Sequence, residues 1–227
     1  MNSSALPQSL RIFLVSLIGI LLYFIYIAAN HGIADVKVYN SRAIMDSWAS
    51  GKRVVEKNDW ESAHQSLLSA LEYSPENPEY LALLGNLYEW RVANQPVNSP
   101  SVITDLNTAL DFYRLALLKR PAFAFYWANI AVIKSMLAEV DKEFYLAVDR
   151  ALVLGAWEPG VQLKIADATL GVWYLLDENG WNKMIENIDR GLQVNAKPIL
   201  AMARKNKVLY QLCGKLKRTD AMLLYCK

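Results

Sequence analysis

The sequence divides into an uninterrupted apolar segment near its start and a long region in which apolar residues recur every three or four positions. Leu110, Tyr113 and Leu117 show this spacing, which is that of one face of an α-helix. No segment shows the sustained alternation of a half-buried strand. Proline-containing breaks separate the predicted helices at residues 74–78, 95–100, 119–121, 154–160 and 195–198. The pattern therefore predicts an all-α fold in which one apolar helix is followed by paired helices.

The apolar segment runs from Ile12 to Ala29 and contains no charged residue over 18 positions. As a helix it would rise roughly 27 Å, close to the thickness of the hydrocarbon core of a bilayer. Arg11 precedes it, and Tyr23 and Tyr26 lie near its end, where amphipathic rings favour the headgroup level. A cleaved signal peptide is the alternative, but its apolar region is normally only about 7 to 15 residues long. We therefore expect residues 1–33 to form a transmembrane anchor that contacts the lipid bilayer through Ile12–Ala29.

Small residues recur beside large apolar ones at fixed distances along the chain. Offsets 0, 4, 7 and 12 give Ala63, Leu67, Ala70 and Pro75, and again Ala109, Tyr113, Ala116 and Pro121. Counted from each proline, offsets 6, 9, 10 and 13 give Leu81, Leu84, Gly85 and Tyr88, then Trp127, Ile130, Ala131 and Lys134. Two helices approach closely where one presents Ala or Gly and a bulky side chain of the other fills the hollow. The alternation predicts helical hairpins packed through these small residues.

These residues resemble the tetratricopeptide repeat, a helix-turn-helix unit of about 34 residues that stacks into a superhelix. The match is close from Pro75 to Tyr88, and Trp127 occupies the large aromatic position of the next copy. Lys134 stands where an aromatic residue is usual, so we expect that end of its helix to turn outward. A third, degenerate copy runs through Phe144, Val148 and Ala151, with Ala156 in place of the repeat proline. The resemblance implies a tetratricopeptide-like helical domain over residues 34–227.

Two segments depart from the repeat length. Ala63 and Ala109 lie 46 residues apart, and the surplus falls in a proline-bearing segment that predicts a long insertion loop at about residues 91–105. Near the end, a C-terminal helical hairpin is predicted at about residues 198–227. Its two cysteines, Cys213 and Cys226, have no histidine nearby and no Cys-x-x-Cys spacing. A disulfide across the hairpin fits an oxidising compartment, and two separate buried thiols are the alternative.

A longer stretch begins with RPAFAFYWANIAVIKSMLAEVDKEFYLAVDRALVLGAWEPGVQ and continues through LGVWYLL and DRGLQ to a terminal Leu-Cys. This stretch, from Arg120 to Cys213, resembles the bacterial VpsP-like polysaccharide-biosynthesis proteins, although Ala156 replaces the proline expected in the Leu-Gly-Pro-Trp-Glu-Pro turn. Those proteins have one N-terminal anchor and a tetratricopeptide-like body, and they are associated with exopolysaccharide gene clusters. The resemblance implies partners among membrane-embedded polysaccharide biosynthesis proteins and does not indicate a reaction.

Charge and cysteine content give opposite indications of membrane sidedness. With 24 Lys plus Arg against 22 Asp plus Glu, the chain has no bulk attraction for polyanions, so no nucleic-acid partner is expected. Lys37, Arg42, Lys52 and Arg53 follow the apolar segment and favour a cytoplasmic body, whereas a disulfide favours the other side. We expect a single-pass protein of the bacterial inner membrane with a periplasmic helical domain.

The sequence offers little for catalysis. It has two histidines, His31 and His64, and neither is in a setting typical of a general base. It contains no glycine-rich phosphate loop, no Gly-x-Ser-x-Gly elbow and no metal-ligand spacing, so we expect no enzymatic activity, cofactor or metal. Tryptophans that could stack on sugars are interpreted instead as core residues, namely Trp60, Trp127, Trp157 and Trp173.

In tetratricopeptide-like stacks, the first helix of each hairpin lines a groove that contacts a partner. The resemblance places these groove residues in the chain: Glu79, Ala82, Asn86, Glu89, Trp90, Phe125, Ala128, Val132 and Ser135. The set is acidic and partly apolar, which suits a partner segment with basic and apolar groups, although Glu79 and Glu89 could equally be solubilising charges.

The resulting hypothesis is a membrane-anchored helical-repeat scaffold that mediates protein–protein interactions in exopolysaccharide or cell-surface polysaccharide biosynthesis or export. The alternatives are a glycan-binding module and an accessory subunit of a membrane glycosyltransferase or polysaccharide polymerase.

Overall fold

The structure, a computed structural model, describes residues 7–93, 95–96 and 99–216, and within these ranges it contains helices and no strand. The α-helices are α1 (Gln8–Ala49), α2 (Lys57–Tyr73), α3 (Pro78–Val92), α4 (Pro100–Lys119), α5 (Ala124–Met136), α6 (Lys142–Leu154), α7 (Pro159–Gly171), α8 (Glu178–Lys205) and α9 (Leu209–Cys213), with a short 3-10 helix at Trp173–Leu175. The all-α prediction is confirmed. The chain forms two compact units that divide between Tyr80 and Leu81, within α3.

The first unit is built on α1, a helix of 42 residues, which corresponds to a length of about 63 Å. Its N-terminal half is long and apolar enough to cross a membrane, and the most apolar stretch buries none of its surface. Residues buried against the rest of the unit begin at Ala34 and continue through Val38, Ser41, Met45 and Trp48. Burial of α1 residues thus begins at Ala34, and the helix runs through the boundary predicted at residue 33 without a break.

The helices α1 and α2 pack as an antiparallel pair held by hydrogen bonds as well as by apolar contact. Ser41 donates its hydroxyl to the carbonyl of Ala63 at 2.8 Å, close to the middle of the pair. At the far end, Ser74 Oγ lies 3.2 Å from His31 Nδ1. Asp35 accepts a hydrogen bond from the Tyr80 hydroxyl at 2.8 Å, so the start of α3 is fixed to α1 inside this unit. Desolvation and this carboxylate raise the pKa of Tyr80 to about 12.

The second unit is a helical assembly in which α5 packs against α4, α6 and α7, and α7 packs in turn against α8. The small residues singled out in the sequence are buried in both units: Ala63, Ala70, Gly85, Ala109, Ala116 and Ala131. A Cβ atom added to Gly85 would lie 2.9 Å from the buried ring of Tyr113. At Gly85 the predicted seating of a bulky side chain against a small residue is thus present in the structure.

The predicted loop at 91–105 is mostly helix. Helix α3 reaches Val92 and α4 begins at Pro100, so the connection is limited to residues 93–99. Ser99 caps α4 by accepting a hydrogen bond from the backbone N–H of Val102 at 3.3 Å, and Pro100 occupies the first turn, where its missing N–H is harmless. The guanidinium of Arg91 donates two hydrogen bonds to the carboxylate of Asp105. Nε lies 2.6 Å from Oδ2, and Nη2 donates to Oδ1. Part of the surplus therefore lengthens α4, which has 20 residues.

Two side-chain predictions were wrong. Lys134 does not turn outward: it is 3% exposed, and its ammonium lies 2.5 Å from Glu139, 2.6 Å from Asp141 and 3.6 Å from Glu143. Three carboxylates replace the water that a lysine would otherwise need, which makes burial of the charge tolerable. Trp157 is not a core residue: it lies in the α6–α7 turn and is 72% exposed.

The other tryptophans lie against the protein interior. Trp60 is buried, whereas Trp127 and Trp173 are partly buried and packed on the core. Trp127 donates its indole N–H to the carbonyl of Pro121 at 2.8 Å, which links it to the preceding turn.

The predicted break at 195–198 is a kink inside α8. Asn195 has non-helical backbone angles (φ −118°, ψ 31°) three residues before Pro198, as expected when a proline removes a helical hydrogen bond. The segment predicted to form the C-terminal hairpin, about residues 198–227, is described only as far as residue 216. Cys226 lies outside the described residues, so its pairing with Cys213 stays a prediction, although Cys213 is not a free thiol.

Candidate functional site

The second unit contains a cavity of about 730 Å³. Its walls are the C-terminal end of α5, one face of α7 and the end of α8, with one residue from α4. The residues that line it are Ile103, Val132, Ser135, Met136, Leu137, Ala138, Glu139, Asp167, Gly171, Tyr174, Lys205 and Asn206. A volume of this size lies within the range of ligand sites, and the lining is polar and apolar in about equal parts.

The α5 wall is held in place by the buried Lys134 cluster. Helix α5 ends at Met136, and the chain turns through Ala138, whose φ of 55° lies in the left-handed region. Lys134 forms ion pairs with Glu139 and Asp141, which lie beyond this turn. Desolvation lowers the pKa of Lys134, but these hydrogen bonds outweigh it and raise the pKa above its ordinary value, so the ammonium stays charged. The cavity wall from Leu137 to Glu139 is therefore fixed by ion pairs.

The opposite wall is positioned by a close crossing of α5 and α7. A Cβ atom added to Gly171 would lie 2.7 Å from the hydroxyl oxygen of Ser135, so a larger residue there would force that hydroxyl to move. Val132 and Ser135, one turn apart on α5, both reach the cavity as a result.

The charged groups of the cavity are Asp167 of α7, Lys205 of α8 and Glu139, which follows α5. Asp167 is exposed to solvent, yet surrounding protein raises the pKa of its carboxyl by desolvation, with Lys205 and Lys164 acting in the opposite direction. Lys205 lines the same cavity. An exposed carboxylate with reduced solvation is expected where protein surrounds a group on several sides without covering it. The site therefore offers two carboxylates, of which Glu139 is already paired with Lys134, and the ammonium of Lys205.

Glu89, on α3, interacts electrostatically with Asp167 and Lys164. It accepts a hydrogen bond from the hydroxyl of the fully buried Tyr113. Desolvation raises the pKa of Glu89, and so does the charge of Asp167, while Lys164 and the Tyr113 hydroxyl act to lower it. Burial and the neighbouring carboxylate raise the pKa of Tyr113 well above its ordinary value. The electrostatic coupling to Asp167 and Lys164 indicates that Glu89 faces α7 within this unit.

The structure places the groove residues predicted from the repeat in different settings. Val132 and Ser135 line the cavity, whereas Ala128 is fully buried and has no surface to offer a partner. Phe125 packs over Gly160, where an added Cβ atom would lie 2.9 Å from its ring. Glu79 belongs to the first unit, where its carboxylate pairs with Arg42 at 2.5 Å.

The remaining predicted residues lie on α3 in the second unit and are partly exposed: Ala82, Asn86, Glu89 and Trp90. Asn86 contributes a hydrogen bond to Tyr113 beside that of Glu89.

Sequence reasoning missed the cavity residues that follow α6, namely Asp167, Gly171, Tyr174 and Lys205. A signal for the first two exists, because α7 opens at Pro159 as the first helix of the hairpin after Phe144 and Ala151. Extending the groove register by one more hairpin would have included Asp167. Lys205 has no such signal, since its position depends on the kink at Asn195.

The two histidines have structural contacts. His31, exposed on α1, lies beside Ser74, and His64 stacks on Trp60 with ring centroids 4.8 Å apart. Within the described ranges, no group of three or more His, Cys, Asp or Glu residues is arranged to hold a metal ion. Comparison with protein-family models and with curated proteins gave no match to this chain.

Proposed function

We propose that this protein is a single-pass, membrane-anchored scaffold that binds a segment of another protein in the cavity between α5, α7 and α8. The observation behind the proposal is the lining of this cavity. It combines the apolar residues Val132, Met136 and Leu137 with the carboxylates of Glu139 and Asp167 and the ammonium of Lys205. Such a surface suits a segment that inserts an apolar side chain and presents charged groups beside it.

The membrane helix supports the anchoring part of the proposal. Its most apolar window has a mean hydropathy of 2.6 and buries none of its surface in the protein, so lipid is its natural environment. A tethered scaffold meets membrane-bound partners at a high local concentration, and a moderate affinity in the cavity would then suffice.

The pathway and the side of the membrane enter the proposal through the sequence. The resemblance to VpsP-like proteins over Arg120–Cys213 favours a partner in bacterial exopolysaccharide or cell-surface polysaccharide assembly. The cysteines favour a periplasmic location for the helical domain. On this proposal the protein carries out no chemistry of its own and organises membrane enzymes that do.

Photocrosslinking from inside the cavity tests the proposal. A benzophenone amino acid at Tyr174, which lines the cavity and is exposed, replaces an aromatic ring with a slightly larger one. In native membranes it should crosslink to a defined membrane protein of polysaccharide assembly, identified by mass spectrometry. The same amino acid at Tyr210, an exposed residue outside the cavity, serves as the matched control.

A second variant distinguishes crosslinking that requires binding in the cavity from crosslinking by chance encounter in the membrane. Met136→Arg places a charge on the apolar wall and should abolish the Tyr174 crosslink while leaving the far-ultraviolet circular dichroism spectrum unchanged. Equal labelling from positions 174 and 210, or a Met136→Arg variant that is folded and still crosslinks, would show that the cavity is not the partner site.

A further inference from the structure

An apolar face of α1 lies uncovered beyond the membrane segment. Val36 is 76% exposed and Tyr39 is 74% exposed, although both follow the polar residues Asn30 and His31. Ala29, Gly32 and Ala43 lie on the same face and are also exposed. No atom lies within 4 Å of the position that a Cβ would take at Gly32.

The face has a regular spacing. Its members, Ala29, Gly32, Val36, Tyr39 and Ala43, alternate at intervals of three and four residues, which is the spacing of a coiled-coil seam. Helix α1 carries a second seam with the same spacing, Ala34, Val38, Ser41, Met45 and Trp48, which is buried and packs on α2. At about 100° per residue the two seams lie on opposite sides of the helix. One seam has its partner within the chain, and the other has none among the described residues of the first unit.

Lipid does not reach the part of this face that contains Val36 and Tyr39. From Ala29, the end of the apolar segment, Val36 lies about 10 Å and Tyr39 about 15 Å along the helix axis. The headgroup region on each side of a bilayer is only roughly 5–8 Å thick. Shifting the helix far enough to bury Val36 would place Asp35 in the hydrocarbon, and burying Tyr39 would add Lys37, which is costly. Val36 and Tyr39 are therefore available to contact another protein surface.

The chemistry of the face favours a second copy of the same chain. In a symmetric parallel pair each seam residue meets its own counterpart, so a charged residue in the seam would face a like charge. From Ala29 to Ala43 the seam contains no charge, and the next position in the spacing is Asp46, where the apolar face ends. A second copy also leaves the membrane on the same side, parallel and at the same height, as the seam requires.

We propose that two copies of this protein associate in parallel through the α1 seam Ala29–Ala43, with the contact continuing from the membrane segment into the water-exposed part of the helix. Pairing through α1 requires the membrane anchor but not the partner cavity, so a failure of one proposal leaves the other unaffected. Confinement in one membrane raises the effective concentration of the copies, and a short seam is then sufficient for pairing.

Disulfide crosslinking of the full-length protein in liposomes tests the pairing. The probe is Val36→Cys, because side chains at such a seam position face each other at a distance that a disulfide can bridge. The matched control is Gln65→Cys, an exposed position on α2 in the same unit. With purified protein at a low protein-to-lipid ratio and a mild oxidant, the Val36→Cys chain should form several times more covalent dimer than the control and the parent chain.

A second measurement removes dependence on cysteine chemistry. Val36→Asp would place two carboxylates in the seam and should raise the dissociation constant, measured by fluorescence energy transfer between labelled copies, at least about tenfold. Circular dichroism should show an unchanged helix content. Control-level crosslinking from position 36 would overturn the proposal. Crosslinking of position 36 to a different protein in native membranes, with none to itself in liposomes, would also overturn it and assign the seam to that protein.

Discussion

At the scale of single residues, the contact between Gly85 and Tyr113 shows which features the spacing of small and large residues can predict. The recurrence of small residues predicted that Gly85 would receive a bulky side chain, and the Tyr113 ring lies against it. The pattern could not predict that the hydroxyl of this ring would donate to Glu89, because that bond depends on the register between α3 and α4. Spacing along one helix fixes which residues are buried, whereas polar partners across helices follow from three-dimensional packing.

Gly85→Ala should destabilise the protein. The added methyl group would lie 2.9 Å from a fully buried ring that is tethered at its hydroxyl, so the ring cannot move aside freely. Overpacking costs about 1–3 kcal/mol, against a gain of about 1 kcal/mol from the helix propensity of alanine. We expect a net loss of up to about 2 kcal/mol in chemical denaturation. In a Tyr113→Leu background, which makes room for the methyl group, the same substitution should be neutral or stabilising; an equal loss in both backgrounds would contradict the contact.

Glu89→Gln should stabilise the protein near neutral pH. The pKa of Glu89 is raised mainly by desolvation, so the folded state favours the protonated carboxyl. The stability contributed by a group with a raised folded-state pKa is present at low pH and is lost as pH rises through that pKa. A neutral amide avoids this loss and can still accept the Tyr113 hydrogen bond. We expect the variant to gain on the order of 1 kcal/mol at pH 7, or about 2–4 °C in Tm, and nothing near pH 3.

The matched control for Glu89→Gln is Glu72→Gln, an exposed position on α2. Its Tm difference from the parent protein should stay within the range of ordinary surface substitutions, about 0.5 kcal/mol, at both pH values. A Glu89→Gln variant that is less stable than the parent at pH 7 would show that the charged hydrogen bond outweighs desolvation.

At the scale of elements, the errors of sequence reasoning lie where two signals compete. The segment at 91–105 contains two prolines and was predicted to be a loop, but Ser99 followed by Pro100 is also a helix start. The helix signal prevailed because Val102 and Leu106 bury their side chains and Asp105 pairs with Arg91. A proline indicates a helix boundary, but it does not by itself indicate whether the helix ends before it or begins at it.

The α5–α6 connection depends on Lys134. Lys134→Met keeps the apolar stem and removes the ammonium, leaving the three carboxylates of Glu139, Asp141 and Glu143 without a counter-charge. These carboxylates are partly exposed, so water replaces some of the lost interaction, and we expect a cost of about 1–3 kcal/mol rather than the full cost of a broken buried pair. Lys142→Met, an exposed neighbour, should change stability by less than about 0.5 kcal/mol.

Hydrogen exchange would locate the effect of Lys134→Met. Amide protons from Leu137 to Asp141 should exchange faster in the variant, because their segment loses both ion pairs that hold it. In the parent protein Lys134 lowers the pKa of Asp141 despite desolvation, and Arg114 lowers that of Glu143. Their stabilisation is therefore lost as the pH falls towards acid, and the stability of the variant should depend less on pH in that range. Unchanged exchange in this segment would show that the ion pairs do not hold the wall.

At the scale of the whole molecule, what could be read from the sequence is what depends on local pattern. The apolar run at Ile12–Ala29 and the helical spacing after it are local, and both are present in the structure. The cavity is not local, because it joins Val132 to Asp167 and Lys205 through the glycine crossing at Gly171 and the kink at Asn195. The distances between these residues depend on how successive helices pack, which periodicity alone does not determine.

The two parts of α1, an exposed apolar part and a part buried against α2, lead to a final prediction. Residues that α1 buries in the protein begin at Ala34, and the preceding helix is apolar and exposed. A chain that starts at Asn30 should therefore leave the membrane fraction and keep its helical circular dichroism and a cooperative thermal transition, because it retains every buried contact of α1. Its tendency to pair should fall sharply, since confinement in the membrane is lost while the seam from Gly32 to Ala43 remains. A shortened chain that fails to fold would show that the membrane segment stabilises the hairpin of α1 and α2, and one that stays in the membrane fraction would reveal a second site of membrane contact.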